Sequence, residues 1–233
     1  MTFSLTEHGV RGVVLDIEGT TTPISFVHDV LFPYARAHLR EYLAANSATG
    51  KLDEALTLLG SERESDRIEG DLATYVEWLM DRDRKSPGLK MLQGLIWARG
   101  YGDGTLQGDV FPDVPPALER WRAAGLNLAI YSSGSVQAQH LLFGTTTFGD
   151  LTPRFAHFFD TAVGPKRARE SYQRLVREMK HAPNQLLFVS DVPEELGAAR
   201  AAGIQTLLCI RPGNAPQADH DGLAIRSFDE IVP

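Results

Sequence analysis

The sequence predicts a doubly wound parallel α/β sheet with an all-helical segment inserted after its first strand. Short apolar runs that end in a polar residue or a turn are typical of buried parallel strands, and the chain contains four of them. Helical patterns lie between the later runs, as in proteins whose helices cover a parallel sheet. Residues 22–109 instead carry successive helical patterns and no strand pattern.

The four predicted strands are residues 13–15, 126–131, 186–189 and 206–210. The helical patterns that belong to the later strands are residues 115–124, 168–180 and 194–202. Gly125 and Gly203 directly follow two of these patterns. Glycine commonly ends a helix there, because it adopts the left-handed conformation without strain.

The segment between the first two strands has its own apolar stripes. Residues 72–80 and residues 89–97 both place apolar side chains at helical spacing. We therefore expect two domains. Residues 1–21 and 110–233 form an α/β core, and residues 22–109 form a helical cap inserted after the first strand.

The composition is that of an ordinary globular protein. Of 233 residues, 43% are hydrophobic and 23% are charged, which allows one good core and a smaller second unit. A net charge of −7 argues against nucleic-acid binding, which usually requires a basic patch. The sequence shows no signal-peptide pattern and no apolar segment near the roughly 20 residues that cross a bilayer. We expect a soluble, cytoplasmic protein without a membrane partner, in which Cys209 is a buried structural thiol.

Two acidic residues directly follow the first predicted strand. Asp16 and Glu18 are separated by one residue, and ligands of open α/β sheets bind beyond the carboxyl ends of the strands. Such a pair can share a metal ion, or divide the work of a nucleophile and a general acid–base. A surface turn is the alternative interpretation of this pair.

Hydroxyl groups and a lysine follow later strands. Ser132 and Ser133 stand between a strand and a helical pattern, where hydroxyls and free backbone N–H groups suit a phosphate. A helix cap is the alternative, since serine is favoured at that position. Lys166 comes just before another helix, and taken alone it is equally compatible with a solvated lysine.

Asp191 ends the third strand, and Glu194 and Glu195 open the helix after it. Acids in a first helical turn have a simple electrostatic explanation, whereas Asp191 at the strand exit points to a metal ligand.

In chain order, the four sets supply a nucleophilic aspartate, a phosphate-binding serine, a lysine and a metal-binding aspartate. A phosphate and two carboxylates repel one another, so Mg²⁺ and the lysine are needed to neutralise them. Hard oxygen ligands favour Mg²⁺ over a soft-ligand metal such as zinc.

The order of these four motifs resembles the haloacid dehalogenase superfamily, in which a helical cap also follows the first motif. Residues 16–24, Asp-Ile-Glu-Gly-Thr-Thr-Thr-Pro-Ile, are similar to the enolase-phosphatase (acireductone synthase) family of methionine salvage. Glu18 stands there where most phosphatases of the superfamily have a second aspartate. Similarity extends from about residue 12 to residue 214, with matches at residues 31–34, 83–86, 92–94, 130–136, 139–144, 159–161, 171–172 and 211–214. His28 and the pair Pro87-Gly88 depart from the family pattern within the cap.

The resemblance implies a haloacid dehalogenase-like fold and a two-step reaction on a small phosphorylated diketone. The substrate would be 2,3-diketo-5-methylthiopentyl-1-phosphate, which is enolised and then dephosphorylated to 1,2-dihydroxy-3-keto-5-methylthiopentene and phosphate. The enzyme would be a Mg²⁺-dependent phosphatase with one Mg²⁺ per subunit. We expect it to be a monomer.

The same resemblance assigns roles to residues of this chain. Asp16 would attack phosphorus and form an aspartyl-phosphate, with Glu18 as the general acid–base. Asp16 and Asp191 would hold Mg²⁺, and Glu18 would add a side-chain or a backbone oxygen. Ser132, Ser133 and Lys166 would bind the phosphate. Independently of the resemblance, Lys85 of the cap is a candidate substrate-binding residue, because a cation there could stabilise the developing enolate oxygen. A solvated charge is the alternative interpretation of Lys85.

Two other functions are compatible with parts of the pattern. One is a phosphatase of the same superfamily that acts on another phosphomonoester. The other is a receiver-like signalling domain, which also uses an aspartate, a hydroxyl, a lysine and Mg²⁺. In a receiver the phosphorylated aspartate follows the middle strand. Here Asp16 follows the first strand and a long insertion comes next, which argues against that function.

Overall fold

The computed structural model describes residues 2–47, 49–82, 84–216 and 222–233. The chain forms two compact units, Met1–Phe26 with Gln107–Pro233, and Val27–Leu106. The second unit is shorter than the predicted cap, residues 22–109. Residues at both ends of that predicted range bond within the first unit. Thr22 bridges to Glu18, and the Gly108 N–H donates to the Thr145 carbonyl at 3.1 Å.

The first unit, here the sheet unit, alternates strands and helices. Its elements are β1 (Phe3–Ser4), β2 (Gly12–Leu15), α5 (Val114–Ala123), β3 (Asn127–Tyr131), α6 (Val136–Gly144), β4 (His157–Phe159), α7 (Arg169–Met179), β5 (Leu186–Ser190), α8 (Pro193–Ala201), β6 (Gln205–Cys209), β7 (Ala224–Ile225) and β8 (Ile231–Val232). Six of the strands form a parallel sheet in the order β4-β3-β2-β5-β6-β7. The predicted fold class is confirmed.

The central strands are the ones that the apolar runs predict. All four residues of β2 are buried, because β2 lies between β3 and β5 and the sheet is covered by helices. Tyr172 and Leu175 of α7 and Leu196 of α8 pack with Val14 and Phe188 of the sheet in one core cluster. Cys209 is fully buried, and burial raises the pKa of its thiol to about 12, as expected of a structural cysteine.

The two edge strands, β4 and β7, are not predicted by the sequence. Each has only two or three residues, too few to show a period. A second, two-stranded parallel sheet of β1 and β8 joins the two ends of the chain through the register Phe3–Ile231 and Ser4–Val232.

In its described residues the second unit, here the helical unit, contains four α-helices with a core of its own. A π-helical turn, Phe26–Leu31, leads into α1 (Phe32–Asn46), which is followed by α2 (Asp53–Asp66), α3 (Leu72–Asp81) and α4 (Pro87–Gly102). None of the helices in the described part of the chain is long and apolar enough to cross a membrane.

Pro87 and Gly88, which depart from the family pattern, fit the start of α4. Ser86 caps this helix by accepting from the Leu89 N–H at 2.9 Å, and proline is favoured at the first helical position because its missing N–H is not needed there. Gly88 lies against α2, where an added Cβ would come within 2.7 Å of Leu59 Cγ. The glycine thus permits close packing of the two helices.

Candidate active site

The Asp16 carboxylate lies at the carboxyl end of β2, in the middle of the sheet. It is only 4% exposed. The chain then turns tightly, since the N–H groups of Thr20, Thr21 and Thr22 all donate to the Ile17 carbonyl at 2.9 to 3.1 Å. Gly19 adopts a φ of +70° within that turn. This turn directly follows the carboxyl end of β2, where the Asp16 carboxylate lies.

Both oxygens of the Asp16 carboxylate are held by neighbouring groups. Oδ1 accepts from the Ile17 N–H at 2.8 Å and pairs with Lys166 Nζ at 2.6 Å. Oδ2 accepts from Ser190 Oγ, at the end of the adjacent strand β5, at 2.9 Å. Charge-assisted bonds of this kind fix an ionised carboxylate in one orientation.

Lys166 bridges two buried carboxylates. Its Nζ lies 2.6 Å from Asp16 Oδ1 and 2.6 Å from Glu195 Oε2. Burial by itself lowers the pKa of Lys166, but the two carboxylates outweigh burial and hold the pKa above its ordinary value. The lysine is therefore a fixed positive charge beside the predicted nucleophile.

Glu195 is part of the site, although the sequence alone shows only an acid in the first turn of a helix. It lies in the first turn of α8, is 8% exposed, and is 3.3 Å from Ser190 Oγ as well as paired with Lys166. Burial, and after it the charge of Asp16, raise the pKa of Glu195 above its usual range, while Lys166 opposes the shift. The available signal was its position in the first turn of the helix that begins directly after the strand exit at Asp191.

Asp191 brings a third carboxylate to the same strand ends. Its pKa is raised to about 7, first by burial and then by the charge of Asp16. Asp16, Glu195 and Asp191 would together carry three negative charges against the single positive charge of Lys166. Two buried carboxylates that repel each other fit a divalent cation, and their oxygen atoms suit Mg²⁺.

The structure brings Asp16 and Asp191 together but leaves the Glu18 side chain exposed. Across the described residues, no three side chains of the Asp, Glu, His or Cys types are grouped as a metal site. Asp16 and Asp191 are a candidate two-carboxylate site for the predicted Mg²⁺. Mg²⁺ commonly completes such a site with backbone oxygens, water and phosphate, which favours the Glu18 backbone oxygen over its side chain.

The predicted phosphate-binding serines lie at the end of β3, beside β2 in the sheet. Ser132 is 8% exposed, and its Oγ accepts from the Gly134 N–H at 3.1 Å, whereas Ser133 is exposed. Ser135, not Ser132 or Ser133, caps α6 by accepting from the Ala138 N–H at 3.2 Å. Neither Ser132 nor Ser133 therefore occupies the cap position of α6.

A C-terminal segment holds the turn after Asp16 in place. Arg211 is buried and donates from Nε to the Thr20 carbonyl at 3.0 Å, and its Nη1 pairs with Asp113 at 2.8 Å. Asn214 Nδ2 donates to the Gly19 carbonyl at 2.9 Å. The sequence connects residues 211–214 to the site only through the family resemblance. Its role depends on contacts between residues nearly 200 positions apart.

Gly19 is expected to tolerate no side chain. An added Cβ would lie 2.7 Å from Asp191 Cγ and 3.0 Å from Asn214 Oδ1, with a backbone φ of +70°. Gly19→Ala should therefore lower the rate of phosphate release at least about tenfold, because Asp191 must move. Gly9→Ala is the matched control, since Gly9 has a φ of +66° and open space around it. Equal rates for the two variants would contradict this explanation.

Lys85 belongs to the helical unit and is exposed. Its neighbours are anchored within that unit: Arg84 pairs with Asp66 at 3.2 Å, and Ser86 bonds to Glu62. Asp83, the first residue of the matching segment 83–86, lies outside the described residues. The role predicted for Lys85 remains a prediction.

Known proteins resemble this chain along nearly its whole length. Residues 10–203 match the family model of the haloacid dehalogenase-like hydrolases. The chain is 50% identical over 232 residues to enolase-phosphatase E1 of Synechococcus elongatus, covering 95% of this chain and 98% of the relative. It is 45% identical over 245 residues to enolase-phosphatase E1 of Drosophila melanogaster, covering 99% and 94% of the two chains.

Solved structures agree on the fold. The UTR4 protein of Saccharomyces cerevisiae has a TM-score of 0.79 at 34% identity, covering 94% of this chain and 99% of that chain. CbbY from Rhodobacter sphaeroides, solved in complex with phosphate, has a TM-score of 0.60 at 17% identity, covering 95% and 96%. At that lower identity the likeness concerns the fold alone.

Proposed function

The chain belongs to the haloacid dehalogenase-like hydrolases and, within them, to the enolase-phosphatases, and we propose that Asp16 is the nucleophile of its phosphatase reaction. The substrate is 2,3-diketo-5-methylthiopentyl-1-phosphate, and the products are 1,2-dihydroxy-3-keto-5-methylthiopentene and phosphate. The family resemblance found in the sequence is thereby confirmed. The substrate and the role of each residue are the proposal.

One observation supports the nucleophile above all others. Asp16 is a buried carboxylate whose two oxygens are fixed by Lys166, Ser190 and a backbone N–H at 2.6 to 2.9 Å. A nucleophile held in one orientation avoids the entropic cost of aligning it with phosphorus. Lys166 Nζ lies 2.6 Å from Oδ1 and so places a positive charge beside the reacting carboxylate.

The reaction on phosphorus proceeds in two displacements. A carboxylate oxygen of Asp16 bonds to phosphorus while the bond from phosphorus to the enol oxygen breaks, and that oxygen takes a proton from a general acid. Water then attacks the phosphorus of the aspartyl-phosphate and gives its proton to the same group. The bond from phosphorus to the Asp16 oxygen breaks, which releases inorganic phosphate and restores the Asp16 carboxylate. Glu18, two residues from the nucleophile, is the proposed acid and base.

The other groups stabilise charge. Lys166, Ser132 and Ser133 hold the phosphoryl oxygens, with the lysine neutralising one negative charge. Asp16, Asp191 and the Glu18 backbone oxygen would hold one Mg²⁺, which supplies Lewis-acid stabilisation of the phosphoryl group when bound. We further propose that the enzyme acts as a monomer in the cytoplasm.

The function is tested by incubation with the diketone phosphate in the presence of Mg²⁺. Enol absorbance should rise and inorganic phosphate should appear, and both signals should stop on addition of EDTA. Absence of turnover on this substrate, together with good activity on sugar phosphates, would identify a phosphatase for another phosphomonoester. A phosphorylated protein that persists for hours without phosphate release would instead indicate a signalling domain.

Lys85→Ala tests the predicted contribution of the helical unit to the enolisation. If Lys85 stabilises the enolate, turnover of the diketone phosphate should fall at least about tenfold, whereas hydrolysis of p-nitrophenyl phosphate should stay near that of the parent. Lys51→Ala, another exposed lysine of the same unit, is the matched control. Parent-like activity of Lys85→Ala on both substrates would leave Lys85 without a role.

A further inference from the structure

The lysine reaches the site from a segment without regular structure. Residues 160–168, here the lysine loop, connect β4 to α7 and include no helix or strand. A loop of this kind has no backbone ladder to fix it. Turns within the loop order parts of its backbone, and the position of Lys166 Nζ between Asp16 and Glu195 also depends on contacts that the loop makes with the rest of the sheet unit.

Three hydroxyl groups from buried residues provide such contacts. They donate to the backbone carbonyls of three consecutive residues of the lysine loop. Tyr131 Oη donates to the Gly164 carbonyl at 2.9 Å, Ser171 Oγ to the Pro165 carbonyl at 2.8 Å, and Tyr172 Oη to the Lys166 carbonyl at 2.8 Å. Tyr131 and Tyr172 have no exposed surface, and Ser171 is 1% exposed. The three hydrogen bonds are part-buried, so each carbonyl would lose its protein partner, with limited access to water in exchange, if the hydroxyl were removed.

The two tyrosines are themselves rigid. Their rings pack edge to face with centroids 5.6 Å apart, and both contact the Phe188 ring within the core cluster. Tyr131 is the last residue of β3, directly before Ser132. The strand end that carries a proposed phosphate-binding serine thus also holds the lysine loop.

Gly164 allows the loop to approach these hydroxyls. Its φ is +134°, and an added Cβ would collide with Ser171 Oγ. A left-handed glycine at this point lets the chain lie against α7 so that all three carbonyls face their donors.

We propose that Tyr131, Ser171 and Tyr172 form a hydroxyl clasp that positions Lys166 for phosphoryl transfer. None of the three needs to touch substrate; each acts through the backbone of the lysine loop. The inference rests on the proposed function, because it assigns these residues to the same phosphatase site. Loss of one clasp hydroxyl shifts Nζ from its two carboxylate partners, and displacements of about 1 Å can cost on the order of a hundredfold in rate.

The test uses substitutions that delete a hydroxyl and little else. Tyr172→Phe, Tyr131→Phe and Ser171→Ala should each lower kcat for the diketone phosphate at least about tenfold, with a smaller change in KM and an unchanged circular-dichroism spectrum. Ser171→Thr should retain more activity than Ser171→Ala, because it keeps a hydroxyl. Tyr42→Phe, which deletes the hydroxyl of a buried tyrosine in the helical unit, should match the parent. Parent-like kcat in all three clasp variants would overturn the proposal.

A double-mutant cycle separates positioning from general loss of structure. In a Lys166→Ala background, Tyr172→Phe should cause no further loss in single-turnover phosphate release, since the group it positions is gone. A further loss by the same factor as in the parent would show that Tyr172 acts independently of Lys166 and would overturn the clasp. Parent-like activity of Lys166→Ala itself would instead contradict the proposed function.

Discussion

Replacing Asp16 by asparagine should nearly abolish phosphate release, with a fall in kcat of at least about a thousandfold. An amide cannot form the acyl-phosphate bond to phosphorus, and it also removes one of the two carboxylate partners of Lys166. The side chain keeps its size, so the fold should be preserved. Inorganic phosphate released from the diketone phosphate is the measurement, and circular dichroism checks the fold.

A surface aspartate serves as the control for Asp16→Asn. Asp150 is exposed and lies in the same unit, so Asp150→Asn should release phosphate at the parent rate. If Asp16→Asn retained turnover within a few-fold of that control, Asp16 would not be the nucleophile.

Replacing Asp191 by asparagine should have two effects, one on activity and one on stability. The variant should require at least about tenfold more Mg²⁺ for half-maximal activity, because a charged ligand is lost. Without metal, it should be more stable than the parent at pH 8. Burial raises the pKa of Asp191 from 3.8 to about 7, so this group favours folding while it is protonated and opposes folding once it ionises.

The sign of this pH dependence follows from the raised pKa. Between pH 4 and pH 7 the folded parent binds the proton that the unfolded chain has released, so the stability contributed by Asp191 is present below pH 4 and lost as pH rises through about 7. Thermal unfolding in EDTA should show this loss in the parent and a smaller loss in Asp191→Asn. Added Mg²⁺ should raise the unfolding temperature of the parent more than that of the variant. Identical Mg²⁺ responses would contradict the assignment of Asp191 as a ligand.

The sequence predicts the strands that are buried on both faces, because their burial is visible as a local run of apolar residues. Strands β2, β3, β5 and β6 are covered on both faces, so their apolar runs are continuous and visible. Asp16 and Asp191 could be predicted to meet because parallel strands present their carboxyl ends at one edge of the sheet. The two edge strands of the sheet, β4 and β7, are not predicted, since they are too short to show a hydrophobic pattern.

Tertiary contacts decide the roles that the sequence left open. Glu195 is an ordinary first-turn acid until Lys166 is placed 2.6 Å away. Tyr131 and Tyr172 are indistinguishable from core aromatics, because only the path of the lysine loop gives their hydroxyls a partner. Arg211 similarly has a role only through its bond to the Thr20 carbonyl.

The aspartyl-phosphate on Asp16 can be measured directly. The parent enzyme, mixed with the diketone phosphate and Mg²⁺ and quenched in acid within one turnover, should contain a phosphorylated peptide that spans β2 and the turn after it. Mass spectrometry should place the phosphoryl group on Asp16, and borohydride should reduce the acyl-phosphate to homoserine at that position. A phosphoryl group on another residue, or rapid phosphate release with Asp16 unmodified throughout the turnover, would contradict the proposed mechanism.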